Sequence, residues 1–317
     1  MERSPVKPEL SVILCTHNPR ADYLRRTLDA LRGQTLPREQ WELRVIDNAS
    51  REPLAGQWDL SWHPHARHVR EEELGLTPAR LRGLQESTGD LVVFVDDDNV
   101  LAADFLARGL DLARDWPAIG AFGGHIEPEF EQTPPDWSRP YWYFLAIREV
   151  TAPRWTNNPD DYYAMPYGAG LLIRRCVAEQ YRENCRSETA RRQLDRRGTS
   201  LAGGGDLDLV YTAHDLGLGR GLFPDLNLVH LMPKERFSEP YFENMLFSAA
   251  SSVALLGVIH GKSPDCIRGG KQAWIKLAGS LLTTDRRRRR FALASWRGTR
   301  HGLSLAAGLK GADRGVV

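Results

Sequence analysis

Along the chain, short apolar runs alternate with stretches in which apolar residues recur every three or four positions. Ser11 to Cys15 is the first such run and predicts a strand. A polar loop, Thr16-His17-Asn18-Pro19, follows it, and Leu24, Leu28 and Leu31 then mark one face of a helix with Asp22 as its cap. Leu43 to Ile46 predicts a second strand, ending in Asp47-Asn48-Ala49-Ser50. Its distance from the first suits a βαβ unit of about 30 residues, so the two strands are expected to run parallel. A second helix should open at Thr77-Pro78, with Thr77 as cap and Pro78 in the first position. Leu91 to Val95 is apolar without alternation, the pattern of a central strand covered on both faces, and it stops at Asp96-Asp97-Asp98.

Such alternation predicts an α/β fold on an open sheet whose ligand site lies beyond the carboxyl ends of the strands. Three polar clusters fall at those ends: Thr16 to Asn18, Asp47 to Ser50, and Asp96 to Asp98. After Gly120 the pattern loses regularity. Pro134 to Tyr167 is rich in proline and aromatic residues and reads as loops lining a cleft. Gly168 to Arg174 and Leu226 to Val229 predict strands, and Asp206 to His214 a short helix behind a glycine run. From Tyr241 the chain reads as helical, with loops at Gly261 to Pro264 and Gly269-Gly270. The uncharged stretch Met245 to Ile259 falls short of the roughly 20 residues that span a bilayer, so a buried helix is expected there.

Composition narrows the class. With 317 residues, 42% apolar and 26% charged, the chain is neither disordered nor fibrous and suits one large domain with an appendage. Residues 1–240 are expected to form that domain; 241–317 would be a helical, basic extension. The balance of 42 Lys+Arg against 41 Asp+Glu hides an asymmetry, because 13 of the basic residues and only 3 of the acidic ones follow His260. An acidic body with a basic tail argues against nucleic-acid binding and points the tail, if anything, at an anionic membrane. Four cysteines without metal-ligand spacing read as free thiols in a reducing compartment, and the N-terminus shows no secretory pattern, so a cytoplasmic location is expected.

Three adjacent aspartates raise one another's pKa unless a cation relieves them, and hard oxygen donors of this kind suit Mg²⁺ or Mn²⁺ bridging to a diphosphate. Asp47 can accept an imino proton of uracil or thymine, or cap a turn. Arg80, in the first turn of a predicted helix, opposes the helix dipole and needs another reason to be there, either a salt bridge to an acidic strand end or a contact to the nucleotide. Asp206 and Asp208 follow the glycines at 203–205 at a spacing that puts them on different helix faces; Asp206 is the candidate general base, or else a helix cap. His230, with Lys234 and Arg236 close behind, could meet a metal and a diphosphate.

Five segments taken in order, Ser11 to Asn18, Val45 to Ser50, Gly75 to Arg80, Phe94 to Asp98 and Gly204 to Leu209, resemble the motifs of the family 2 inverting glycosyltransferases. The resemblance covers about Leu10 to Phe237 and implies a donor-binding half over about 10–120 and an acceptor half over about 121–240. It implies the A-type glycosyltransferase fold, a Rossmann-like domain with a mixed central sheet, and a divalent cation, Mn²⁺ or Mg²⁺. Thr16, His17, Asn18, Asp47, Asn48, Ser50 and Arg80 would bind the nucleotide. Asp96 would hold its ribose, with Asp97 alongside. Asp98 and His230 would take the metal, Lys234 and Arg236 the diphosphate, and Asp206 would be the base. The implied donor is a UDP-sugar, or a dTDP-sugar, and the acceptor a saccharide or lipid-linked hydroxyl in polysaccharide or glycolipid synthesis, with the basic tail peripheral on the inner face of the plasma membrane.

One departure stands out: the family commonly has Glu before the base, whereas here Gly205 precedes Asp206, leaving Asp208 as fallback. A non-catalytic nucleotide-sugar-binding protein is therefore one alternative. A sugar nucleotidyltransferase is another, although Thr16 to Arg20 makes a poor phosphate loop. Trp137, Tyr141, Trp142, Tyr143 and Trp155 could stack on an acceptor or fill core, with Trp137, Trp142 and Trp155 taken as the acceptor candidates. The apolar face of Tyr241 to Ile259 could cover the domain or a second copy of the chain.

Overall fold

The computed structural model describes residues 7–196, 201–269, 275, 278–280, 282 and 284–312. The chain runs β1 (Leu10–Thr16), α1 (Ala21–Arg32), β2 (Trp41–Asn48), β3 (Ala66–Glu71), α2 (Leu76–Gln85), β4 (Leu91–Asp96), β5 (Asn99–Leu101) and α3 (Phe105–Asp115). It continues through β6 (Ile119–Phe130), β7 (Arg154–Thr156), β8 (Leu172–Arg174), α4 (Arg175–Ser187), α5 (Gly205–Asp215) and β9 (Gly219–Met232). Three helices close the described chain: α6 (Glu239–Ile259), α7 (Pro264–Arg268) and α8 (Arg286–Ala312).

The strands form one sheet in the order β3-β2-β1-β4-β8-β6-β9-β5, with β7 beside β9. β3, β2, β1 and β4 run parallel to one another, β1 and β2 as the βαβ spacing predicts, and β8 enters antiparallel between β4 and β6, so the sheet is mixed. Side-chain alternation explains the unbroken apolar runs. Leu10, Val12 and Leu14 of β1 join the layer under α1 and α3, while Ile13 and Cys15 join the layer with α2, α4 and α5; both faces are covered. Register does the positioning. Thr16 pairs with Asp47 and Cys15 with Asp96, which lines up the three polar strand ends. Asn99 of β5 pairs with His230 of β9, which sets His230 beside Asp98.

Several local expectations change. Arg20, not a capping side chain, precedes α1, and Asp22 lies in the first turn bonded to Arg20 (2.8 Å). Gly75, at φ 145°, precedes α2, so Thr77 is inside the helix, where its hydroxyl donates to Asp195 (3.1 Å). The strand expected over Gly168 to Arg174 is confined to β8; Gly170 takes φ 67°, which ends any extended run before Leu172. The short strand at Leu226 to Val229 is part of the 14-residue β9, which places His230 within a strand. β3 and the 12-residue β6, whose Gly123-Gly124 pair masks its strand pattern, were not signalled at all. All four cysteines are free, with Cys15 and Cys185 buried.

α6 has the length and apolar composition to cross a membrane, yet it packs into the protein, with Phe242, Met245, Leu246, Leu255 and Leu256 buried. Its partner is α8. A Cβ at Gly298 or Gly302, one turn apart, would come within 2.1 Å of the Phe247 and Ser251 carbonyl oxygens, also one turn apart on α6. Two of the arginines at 286–290 are engaged with α6: Arg287 donates to Glu239 (2.8 Å), and Arg290 to Glu239 (3.2 Å) and Glu243. Among the described residues of the tail, α8 is docked on α6. Gly298→Leu is expected to cost about 1–3 kcal/mol by overpacking this contact. Urea unfolding would measure the loss, and trypsin should then cut within 286–290; unchanged stability and protection would count against the docked arrangement.

Candidate functional site

A cavity of about 720 Å³ opens at the carboxyl ends of β1, β2 and β4. Of the residues expected there, Thr16, His17, Asn48, Arg80, Asp96, Asp97, Asp98, Asp206, His230 and Arg236 line it. Asn18, Asp47, Ser50, Lys234 and Asp208 do not, and their contacts explain why.

Asn18 takes φ 47° and knits the β1 and β2 loops together: its N–H donates to Ser50 Oγ (2.9 Å), and its side-chain oxygen accepts from the Arg51 N–H (2.9 Å). Asp47 is buried behind the wall. Its oxygens accept from the Ser50 and Leu54 N–H groups (both 3.1 Å) and from Arg70 (2.8 Å), and these bonds outweigh burial and lower its pKa. Asn48 accepts from the Gly75 N–H (2.8 Å) and donates to the Glu73 carbonyl (2.7 Å), which holds the entry to α2. Lys234 is exposed, with its backbone N–H on Glu131 (3.0 Å).

The three aspartates divide. Burial, and then the Asp98 charge, pushes Asp97 up to about 7, and Thr16 donates a hydrogen bond to it. Burial and Asp98 also raise Asp96. Burial pushes Asp98 the same way, but His230 and Arg236 outweigh it and hold Asp98 well below the usual carboxylate range. Asp98 Oδ2 and His230 Nε2 lie 3.3 Å apart, and Arg236 donates to both, at 2.7 and 3.0 Å. Among the described residues, no three His, Cys, Asp or Glu side chains converge to hold a metal unaided. The pair still fits one: a carboxylate and an imidazole nitrogen aim their lone pairs at one positive group, as Mg²⁺ or Mn²⁺ requires when a diphosphate supplies further ligands. Here Arg236 supplies that positive charge.

On the far wall, α5 presents Asp206. Its oxygens accept from the Gly168 and Leu207 N–H groups (both 2.8 Å), and burial, opposed by Arg80 and reinforced by Asp195, lifts its pKa to about 6. Asp208, two residues on, faces the opposite way and is sealed, bonded to Arg191 and to His260 (2.9 Å). Arg80 is the fifth residue of α2, beyond its first turn, and donates to Asp195 (3.0 Å), a residue of the loop before α5 and not of a strand end.

Of the aromatic residues singled out in the sequence, Tyr143 lines the cavity and the others lie elsewhere. Trp137 and Tyr141 pack on Phe242 and Phe291, Trp142 packs on Phe130 and bonds Ser138 (3.0 Å), and Trp155 is on β7 near Trp116. The aromatic wall consists of Tyr143, Phe144, Tyr162, Tyr167 and Tyr241. Sequence reasoning missed the last four, as it missed Asp195 and the contribution of α6. The one signal for α6 was its spacing: Tyr241, Met245, Ala249 and Val253 recur every four residues and line the cavity from one helix face.

Residues 11–167 match the family model described as Glycosyl transferase family 2. The chain is 28% identical over 309 residues to the succinoglycan biosynthesis protein ExoM of Rhizobium meliloti, which covers 90% of this chain and 88% of that one. It is also 28% identical over 123 residues to glycosyltransferase AglE of Haloferax volcanii, 38% of this chain, and spans 40% of AglE's length. Among solved structures it is similar to the mannosyltransferase PcManGT from Pyrobaculum calidifontis in complex with GDP-Man and Mn²⁺. That likeness has a TM-score of 0.54 at 20% identity, covers 100% of this chain and 79% of the other, and bears on the fold alone. Family match, relatives and fold agree: the chain is a member of glycosyl transferase family 2 and has the A-type glycosyltransferase fold.

Proposed function

We propose that this protein transfers a sugar from a nucleoside diphosphate donor, UDP before dTDP, to an acceptor hydroxyl with inversion at the anomeric carbon. The observation that carries this reading is the sharing of one cavity by Asp206, at a pKa of about 6, and the Asp96–Asp98 cluster with His230 and Arg236. Thr16, His17, Asn48 and Arg80 line the nucleotide end. Behind them Asn18, Asp47 and Ser50 fix the loops. Asp98 and His230 are the residues that would hold a divalent ion, which when bound supplies charge stabilisation to the departing diphosphate.

Asp206 takes the proton of the acceptor hydroxyl as its oxygen bonds to the anomeric carbon, while the bond to the diphosphate oxygen breaks and the diphosphate leaves with the electron pair. Arg236 is placed to neutralise part of that charge. The relationship to ExoM favours polysaccharide biosynthesis as the setting.

The test is calorimetry with UDP and dTDP, with and without Mn²⁺, on the wild type and Asp98→Ala. Mn²⁺-dependent binding of one nucleotide, weakened about tenfold or more in the variant, is expected. Absence of binding by either nucleotide in every condition would sink the donor site.

A further inference from the structure

The glycine before the base is not a gap. A Cβ built on Gly205 would fall 2.1 Å from Asp195 Oδ2 and 2.4 Å from its Cγ, so the volume that a side chain at 205 would take is already filled by a carboxylate from the preceding loop. That carboxylate is tied at both oxygens. Oδ1 accepts from the Gly205 N–H (3.2 Å), and Oδ2 accepts from the Thr77 hydroxyl (3.1 Å) and from Arg80 Nη1 (3.0 Å). Asp195 also pairs with Gly203 in an isolated bridge, and the Gly204 N–H donates to the Leu194 carbonyl (2.8 Å), so its backbone is pinned to the loop that starts α5. Arg80 and Asp195 are each only 3% exposed, a burial that an ion pair needs strong reasons to sustain. The second guanidinium nitrogen, Nη2, and the Asp206 carboxylate approach each other over Gly168, whose missing Cβ would lie 2.9 Å from one and 3.2 Å from the other.

We infer that Asp195 is a positioning residue for the base: it stands where the residue before Asp206 would place its side chain, and it fixes Arg80 so that the guanidinium flanks Asp206 without closing on it. This rests on the glycosyltransferase reading of the cavity. The charged groups around Asp206 are Arg80 from α2 and Asp195 from the loop, with Asp96 of β4 and the Tyr181 hydroxyl of α4 acting on Arg80 from its other sides. Asp195 thus divides the attention of one arginine between two carboxylates. Were Asp195 neutral, Arg80 would swing its full charge to Asp206 and make it a weaker base.

The experiment is carboxyl NMR on the full chain labelled with ¹³C-aspartate, the Asp206 resonance being assigned by its loss in Asp206→Asn. In Asp195→Asn the Asp206 titration midpoint is expected to fall by about one pH unit. In the double variant Asp195→Gly/Gly205→Glu, which returns a carboxylate to the same volume from the other chain position, the midpoint should lie close to that of the wild type. A midpoint in Asp195→Asn that is unmoved or raised overturns the proposal. Should Asp195→Asn not fold, the double variant still decides: folded with the wild-type midpoint it supports the assignment, and otherwise it refutes it. Neither result depends on a donor, so failure of UDP and dTDP to bind the wild type would bring down the proposed activity separately.

Discussion

Replacing Asp206 with asparagine is expected to lower kcat by about 10²–10⁴-fold, the usual contribution of a general base, while donor affinity stays within about threefold. Asparagine keeps the volume and an acceptor for one of the two N–H groups that hold Asp206, so binding should survive where proton transfer does not. The pH dependence carries its own sign. Burial raises Asp206 to about 6, so the base is ionised at neutral pH and becomes protonated as the pH falls through that value. Wild-type kcat/KM should therefore drop about tenfold per unit below pH 6, and the residual activity of Asp206→Asn should lack this limb. A variant that retained more than about a tenth of wild-type kcat, with the acid limb intact, would remove Asp206 from the mechanism.

The largest effect on stability should come from Arg80→Ala. This guanidinium is buried, bonded to Asp195, close to Asp206, and set over the Phe94 ring at 5.4 Å. Its removal strands the buried Asp195 carboxylate and takes the nearest cation from half-buried Asp206, and breaking a buried pair from one side costs about 3–5 kcal/mol. Urea unfolding at pH 7.5 measures this directly. Part of the loss should return at lower pH, because Asp206 is then protonated and no longer needs a counter-charge. A loss below about 1 kcal/mol would mean that water reaches the pair and that the cluster is not the closed unit described.

Both variants show how unevenly the sequence reports on the site. Arg80 was flagged by a local rule, a cation in the first turn of a helix, but α2 starts at Leu76 and makes Arg80 its fifth residue, so burial and not the helix dipole is what calls for its acidic partner. The partner itself could not be found that way. Asp195 sits in the charged run Arg191-Arg192-Gln193-Leu194-Asp195-Arg196, which has no period and no motif, and its role exists only because the loop folds back onto Gly205. The aromatic wall was misassigned for a related reason. Trp137, Trp142 and Trp155 are chemically as able to stack on a sugar as Tyr162 or Tyr167, but Trp137 is packed on Phe242 of α6 and Phe291 of α8, Trp142 lies on Phe130 of β6, and Trp155 is exposed on β7 outside the cavity lining.

The sequence by itself determined the parallel core of the sheet, because unbroken apolar runs at βαβ spacing admit few other arrangements. It also placed the polar clusters at strand ends, because the local change from apolar to polar is what ends a strand. It marked Asp206 through the glycines before it. Tertiary structure alone decided which polar residues face the cavity. Asp47 and Asn18 were turned to loop bonding, and Asp208 was sealed beneath α5. His230 was brought to Asp98 by the pairing of β5 with β9, strands more than 100 residues apart in the chain. Such choices depend on register and packing between distant segments, and no local pattern encodes them.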